Sequence, residues 1–383
     1  MSKLVVQTEN RENVLASKIK SQPTIAYFIL AFLISWIIWF IAPLAGGNSS
    51  RIYDLAVFIG ACGPVFAAFI VASTLNHEPS NAPRRKRIAT FAAVFAVTYF
   101  ILPLTALFVT HSFSLLVLLT SVVYAAVAGY VVSSVYHPNQ GIATVMAGLK
   151  RVQLRSVWVW VAVLLPFAWE VLAGGIVWGL GGKSLLTLSS STLLLALVAY
   201  PSTFFWGGPM TEEPGWRGFA TPRLEARYTP LATGLIIGVI WSCWHFPLYF
   251  TPLYGGGLIP FLFRFVYNVP FGVIFTWLYT KSSGNLFASM LLHCGINTSA
   301  SLLGPTAELV AILLMIVTAV FVAVHGKMNR KTANLLERQM VKASRSEEGN
   351  SNSSEALRKE EDENSAIASP LFPFQARPQT IER

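Results

Sequence analysis

A succession of apolar windows, each long enough to cross the roughly 30 Å hydrocarbon core of a bilayer, constrains this chain more than any other feature. About ten can be read, at residues 25–41, 55–75, 88–109, 115–135, 157–180, 193–206, 231–250, 258–279, 286–303 and 309–324, the sixth being the shortest. A segment inside hydrocarbon must satisfy its own backbone hydrogen bonds, and these windows lack the alternation of barrel strands, so each is expected to be helical. A chain that is 54% hydrophobic and 12% charged needs no soluble fold. The expected fold is all-α, a polytopic transmembrane bundle of about 8–10 spans.

The net charge of +10 raises the question of nucleic acid, but the basic residues sit in short connections between windows. Lys3, Arg11, Lys18 and Lys20 precede the first window, Arg84 to Arg87 follow the second, and Lys150, Arg151 and Arg155 follow the fourth. Arg217, Arg223 and Arg227 follow the sixth, Lys281 the eighth, and Lys327, Arg330 and Lys331 the tenth. Every second boundary is basic, so the positive-inside rule puts both termini in the cytoplasm and makes lipid, with no nucleic acid, the expected environment. Residues 1–22 are polar and read as a cytoplasmic segment without a cleavable signal. Residues 23–325 read as one membrane domain, with scaffold helices over 23–190 and a catalytic core over 191–303. From 326 to 383 the composition turns to Ser, Asn, Glu, Lys and Arg, the expected signature of a largely disordered cytoplasmic tail whose first part, 327–343, suits anionic headgroups. Cys62, Cys243 and Cys294 are odd in number and lie in apolar windows, so they read as buried thiols and not as a disulfide framework. Asn48-Ser49-Ser50 matches a glycosylation triplet, a pattern too common to decide the membrane.

Within this apolar chain, Thr211-Glu212-Glu213-Pro214-Gly215-Trp216-Arg217 concentrates two carboxylates and a guanidinium. Charges at membrane depth are costly and mark function unless they pair or meet water. Gly207, Gly208 and Pro209 interrupt the sixth window just before them, so a helix is expected to restart near Thr211. On it Glu213 and Arg217 are four apart and face each other, a structural pair, while Glu212 points about 100° away and is available for chemistry. Two further elements follow: Trp241 to His245, in a window that Pro247 soon ends, and His293 with Asn297 four residues on. Each alone reads equally well as interhelical hydrogen bonding. Together, Glu212, His245, His293 and Asn297 supply what peptide hydrolysis needs: a buried carboxylate as base, a histidine to orient water or carry the proton, and two donors for an oxyanion. The same residues also draw as a zinc site, with Glu212, His245 and His293 as ligands, and the spacing leaves both forms open.

These residues resemble the motifs of the CPBP intramembrane proteases, the CAAX prenyl protease 2 and bacteriocin-processing family that includes lysostaphin resistance protein A-like members. The run from Gly208 to Phe219 and Pro222-Arg223-Leu224 is similar to its Glu-Glu motif, with Arg217 four residues after the second glutamate. Trp241 to His245 takes the place of its Phe-x-x-x-His motif, with tryptophan where phenylalanine is usual, and His293 to Asn297 that of its His-x-x-x-Asn motif. The resemblance covers about residues 200–300. It implies an integral membrane endopeptidase whose eukaryotic relatives remove the last three residues of prenylated CAAX proteins, with membrane-anchored or prenylated proteins as partners. By position, Glu212 with His245 would activate water and His293 with Asn297 would form the oxyanion hole. Members have been described both as metalloproteases and as glutamate-dependent proteases, so zinc enters only as an option.

One geometric expectation follows. If the seventh helix starts at the membrane face near Leu231, His245 lies about 21 Å along it, out of reach of a shallow Glu212. Either the helix carrying Glu212 is set deep, with residues 218–228 climbing back, or the seventh helix begins outside the membrane. The four side chains are then expected to cluster in a polar cavity open to the cytoplasm. The rival reading is a transporter or non-catalytic scaffold, with Glu170 and Glu308 as further intramembrane acids. A transporter should show a pair of broken helices, whereas only one break, at 207–209, is read.

Overall fold

The computed structural model describes residues 14, 16–45, 50–110, 113–151, 154–182, 190–299 and 305–331. The expected tail from 332, most of the N-terminal segment and Asn48 lie outside the described residues. Among these the only β pairing is an isolated bridge between Pro79 and Asn139, and the rest of the regular structure is helical. The helices are α1 (Pro23–Ile41), α2 (Arg51–Ala61), α3 (Gly63–Leu75), α4 (Arg84–Thr110), α5 (Leu115–Ser133), α6 (Gln140–Val145) and α7 (Val157–Gly179). They continue with α8 (Ser190–Trp206), α9 (Pro209–Glu213), a π-helical segment (Pro214–Ala220), α10 (Thr221–Glu225), α11 (Pro230–Trp244), a 3-10 turn (Phe246–Phe250), α12 (Leu258–Lys281), α13 (Leu286–Ser299) and α14 (Pro305–His325).

Among the described residues, eight segments are long and apolar enough to cross a bilayer: Pro23–Leu44, Arg51–Leu75, Arg84–Phe108, Leu115–Tyr136, Val157–Gly179, Pro230–Phe250, Leu258–Lys281 and Ala307–His325. The other two windows are described in part: the sixth includes α8, with 17 described residues, and the ninth includes α13, with 14. These two lead into and carry the polar cluster.

The helices are sided as membrane helices should be, with large apolar groups outward and small or polar ones inward. In α1, Tyr27, Ala31, Ser35 and Trp39 recur every four residues and are buried, while Ile25, Ile29, Leu33 and Ile37 on the other side are each more than half exposed. Close crossings need residues without side chains. A Cβ on Gly234 or Gly238 of α11 would meet α12 backbone at 2.8 or 2.7 Å, and one on Gly272 of α12 would run into Gly234 O. Indoles tie α1 to the end of α11: Trp36 Nε1 donates to Trp244 O at 2.9 Å, and Trp244 Nε1 donates to Ser35 Oγ at 2.8 Å.

The basic connections converge on one end of the bundle. Ser80 N donates to Pro138 O at 2.6 Å and Leu231 N to Met328 O at 3.0 Å. A Cβ on Gly148 would touch Gly284 O at 2.6 Å, and one on Gly218 would touch Val145 O at the same distance. The connections that carry Arg84 to Arg87, Lys150, Arg223, Lys281 and Lys327 therefore share a face, the clustering that the positive-inside pattern requires.

Candidate active site

The polar cluster is built on the break after α8. Gly208 has φ 64° and ψ −58°, the backbone of a classic γ-turn, which glycine alone adopts cheaply. The chain reverses there and α9 begins with Pro209, whose missing N–H is no loss in a first turn. Pro214 then opens a π-helical turn, a form that concentrates at functional sites. In it Thr221 Oγ1 donates to Trp216 O five residues back, at 2.8 Å. The segment threads a tight channel. A Cβ on Gly215 would meet Pro64 O and the Tyr27 hydroxyl at 2.5 Å, which accounts for glycine in the Pro-Gly-Trp-Arg-Gly run.

The chain after α9 climbs back as the first of the two expected alternatives describes. Glu212 meets Trp241, eleven residues into α11 and so about 17 Å from the basic end. The chain then returns to that end, where Glu225 lies 2.6 Å from Thr280, next to Lys281. Here Thr280 has one hydroxyl proton and two neighbours that accept, Glu225 Oε1 and, at 2.7 Å, Thr276 O. A protonated Glu225 supplies the second proton, in keeping with burial pushing its carboxyl from 4.5 up to about 7.

Glu212 is 5% exposed and is not left unengaged. Its Oε2 accepts from Trp241 Nε1 at 2.6 Å and from Trp216 Nε1 at 3.3 Å. Its Oε1 faces Gly208: a Cβ there would lie 2.9 Å from Glu212 Oε1 and 2.7 Å from His293 Nε2. Carboxylate and imidazole thus flank one point in space above a residue without a side chain. The other ring nitrogen, His293 Nδ1, lies 2.8 Å from Glu213 Oε1, and that same oxygen accepts from Arg217 Nη1 at 3.1 Å. Glu213 and Arg217 are both fully buried. The guanidinium lies against aromatic faces, with Cζ 4.0 Å from the Phe275 ring centre and 5.2 Å from that of Trp241.

His245 caps α11 and joins the cluster through Trp241. Its Nδ1 lies 2.7 Å from Trp241 O, and since a carbonyl can only accept, Nδ1 carries the proton and Nε2 holds the lone pair. The His245 and Trp241 rings are 5.9 Å apart, and the Trp241 and His293 rings 5.4 Å. Asn297 is not drawn in with them. One turn beyond His293 on α13, it is exposed, and among the described residues its side chain makes no hydrogen bond to Glu212, His245 or His293.

The donor set does not form the zinc site drawn from the sequence. Among the described residues no three His, Cys, Asp or Glu side chains come close enough to share one ion, and Glu212 Oε2 already serves two indoles. Of the cysteines, Cys62 and Cys294 are buried as expected and Cys243 is half-buried; all three are free thiols.

Sequence reasoning gave no role to Trp216, Tyr27 or Arg264. Trp216 lies within the motif, but its convergence with Trp241 on one oxygen depends on packing between α9 and α11. Tyr27 comes from the distant α1 and places its ring 5.8 Å from that of Trp216. Arg264 did carry a signal, a lone cation inside an apolar window.

Fold and site together define a polytopic α-helical membrane protein with a buried acid, imidazole and guanidinium cluster about 17 Å from the basic end of the bundle. Residues 189–299 match the family described as Type II CAAX prenyl endopeptidase Rce1-like. The chain is 31% identical over 157 residues to the CAAX prenyl protease 2 of Methanococcus maripaludis. That match covers 39% of this chain and 55% of the archaeal protein, so the chain spans about half the length of the curated relative it matches. Residues 189–299, which hold Glu212, His245, His293 and Asn297, are the part of the chain similar to the Rce1-like endopeptidases.

Proposed function

We propose that the protein is an intramembrane endopeptidase that hydrolyses peptide bonds near the C-termini of membrane-attached substrates, with prenylated CAAX tails as the first class to test. The observation that carries this reading is the convergence of Glu212 Oε1 and His293 Nε2 on one point above Gly208. Glu212 is the general base. With Oε2 anchored by two indole N–H groups, Oε1 takes a proton from water as the water attacks the scissile carbonyl. His245, oriented by its bond to Trp241 O, accepts a hydrogen bond from that water at Nε2 and so aims it, and the proton that Glu212 took from the water is returned to the departing amine as the C–N bond breaks. His293 donates from Nε2 to the oxyanion. That role needs an imidazolium, and Glu213 faces its second N–H; the resulting cation, with Arg217, balances the charges of Glu212 and Glu213. Asn297 is the second oxyanion donor of this reading, and since it stands apart from Glu212, His245 and His293 it would have to meet the substrate from outside their cluster. The shared basic face supports a cytoplasmic orientation for that end and for both termini.

The test uses full-length protein in nanodiscs with a prenylated peptide, products being read by mass spectrometry. Glu212→Ala, His245→Ala and His293→Ala are each expected to abolish cleavage in protein that still folds. Cleavage by Glu212→Ala at the wild-type rate would sink the assignment.

A further inference from the structure

Arg264 sits in the seventh position of α12 and is 8% exposed. Among the described residues no carboxylate lies within ion-pair distance of it, the two recorded pairs being those of Glu213. Its surroundings are phenolic. Nη1 donates to Tyr249 Oη at 3.1 Å and to Tyr267 Oη at 3.4 Å, and these hydroxyls are 3.2 Å from each other. The rings of Tyr249, Tyr254 and Tyr267 stand 5.8, 5.1 and 5.6 Å from Cζ, while Nε has no partner at all. Tyrosine faces and hydroxyls solvate a guanidinium but leave its charge unopposed.

This cage adjoins the site. The Tyr254 ring is 6.2 Å from that of His245, so the guanidinium stands no farther from His245 than that distance and the 5.1 Å to Tyr254 laid end to end. An extended peptide covers about 3.3–3.6 Å per residue, so no more than about three residues bridge the two groups. Tyr254 is 46% exposed, which opens the cage on that side. It is followed by Gly255, Gly256 and Gly257, all at positive φ.

We propose that Arg264, with the hydroxyls of Tyr249 and Tyr267, binds the C-terminal carboxylate of the substrate and so sets how few residues lie beyond the cleaved bond. This rests on the hydrolase reading for its substrate but not for its chemistry: an unopposed buried guanidinium with an orphaned N–H matches the fork of a carboxylate. Lysine could not replace it at such a fork.

The experiment compares an S-prenylated peptide ending in a free carboxylate with the same peptide ending in an amide. Binding is measured by fluorescence anisotropy to full-length Glu212→Gln protein in nanodiscs, and cleavage with wild type. The acid is expected to bind at least tenfold more tightly than the amide and to show a KM at least tenfold lower, and Arg264→Gln should remove both differences. If that variant fails to fold, Tyr249→Phe and Tyr267→Phe are used, each expected to narrow the preference severalfold. Equal handling of acid and amide, survival of the preference in Arg264→Gln, or binding of neither peptide would overturn the proposal. Preference for the acid in binding without cleavage of either peptide would overturn the hydrolase reading and leave the carboxylate site standing.

Discussion

Replacing Gly208 by alanine probes the site more sharply than removing any of its polar groups. Two effects add. The φ of 64° and ψ of −58° lie where an L side chain costs about 1–3 kcal/mol. The new methyl would also lie 2.7 Å from His293 Nε2 and 2.9 Å from Glu212 Oε1, so each must retreat by about half an ångström to reach ordinary contact. Misplacement of about 1 Å can cost roughly 100-fold in rate. We expect Gly208→Ala to fold with a lowered thermal midpoint, to lose about 10- to 100-fold in kcat, and to keep KM within a few-fold. Gly207→Ala is the control. Its methyl would meet nothing closer than Thr203 Cγ2 at 3.3 Å, and near-normal turnover is expected. Both variants are purified in nanodiscs, checked by thermal unfolding and assayed on the prenylated peptide. Wild-type kcat from a folded Gly208→Ala protein would refute the claim that Glu212 and His293 act at the point above this residue.

Arg217→Ala strands Glu213 as a buried anion held by His293 alone, and removal of one partner from such a pair costs about 3–5 kcal/mol; denaturation should show this loss, and an unchanged midpoint would contradict the pairing. Trp241→Phe deletes the 2.6 Å bond to Glu212, and since hydrogen bonds to charged groups are worth about 1.5–3 kcal/mol, kcat should fall roughly 10- to 100-fold with KM little changed. Glu225 holds its proton to about pH 7, whereas an unfolded carboxyl releases it near 4.5. Stability from this group is therefore complete below about 4.5, falls as the pH rises toward 7, and is lost above it, about 3 kcal/mol in all. Melting curves of Glu225→Gln should lack this share of the wild-type decline, and parallel curves for the two proteins would remove Glu225 as its source.

Much of the molecule was legible in one dimension. Window length and the lack of alternation predicted a helical membrane bundle, and the spacing of Glu213 and Arg217 predicted a pair that exists at 3.1 Å. The Gly207-Gly208-Pro209 break located the site. What failed to show was anything set by how helices approach one another. Local spacing predicted an unengaged Glu212, but two indoles from different elements reach its Oε2. The i, i+4 relation put Asn297 beside His293 without revealing that the helix leaves it exposed. Hydropathy gave ten windows, of which eight are full-length crossings among the described residues.

The close crossing of α11 and α12 governs substrate reach. Contact at Gly234, Gly238 and Gly272 braces the helix that ends at His245 against the helix that carries Arg264, so the span between these two groups is fixed by backbone packing. Any larger side chain at those three positions would prise the pair apart and change how long a peptide end fits between them.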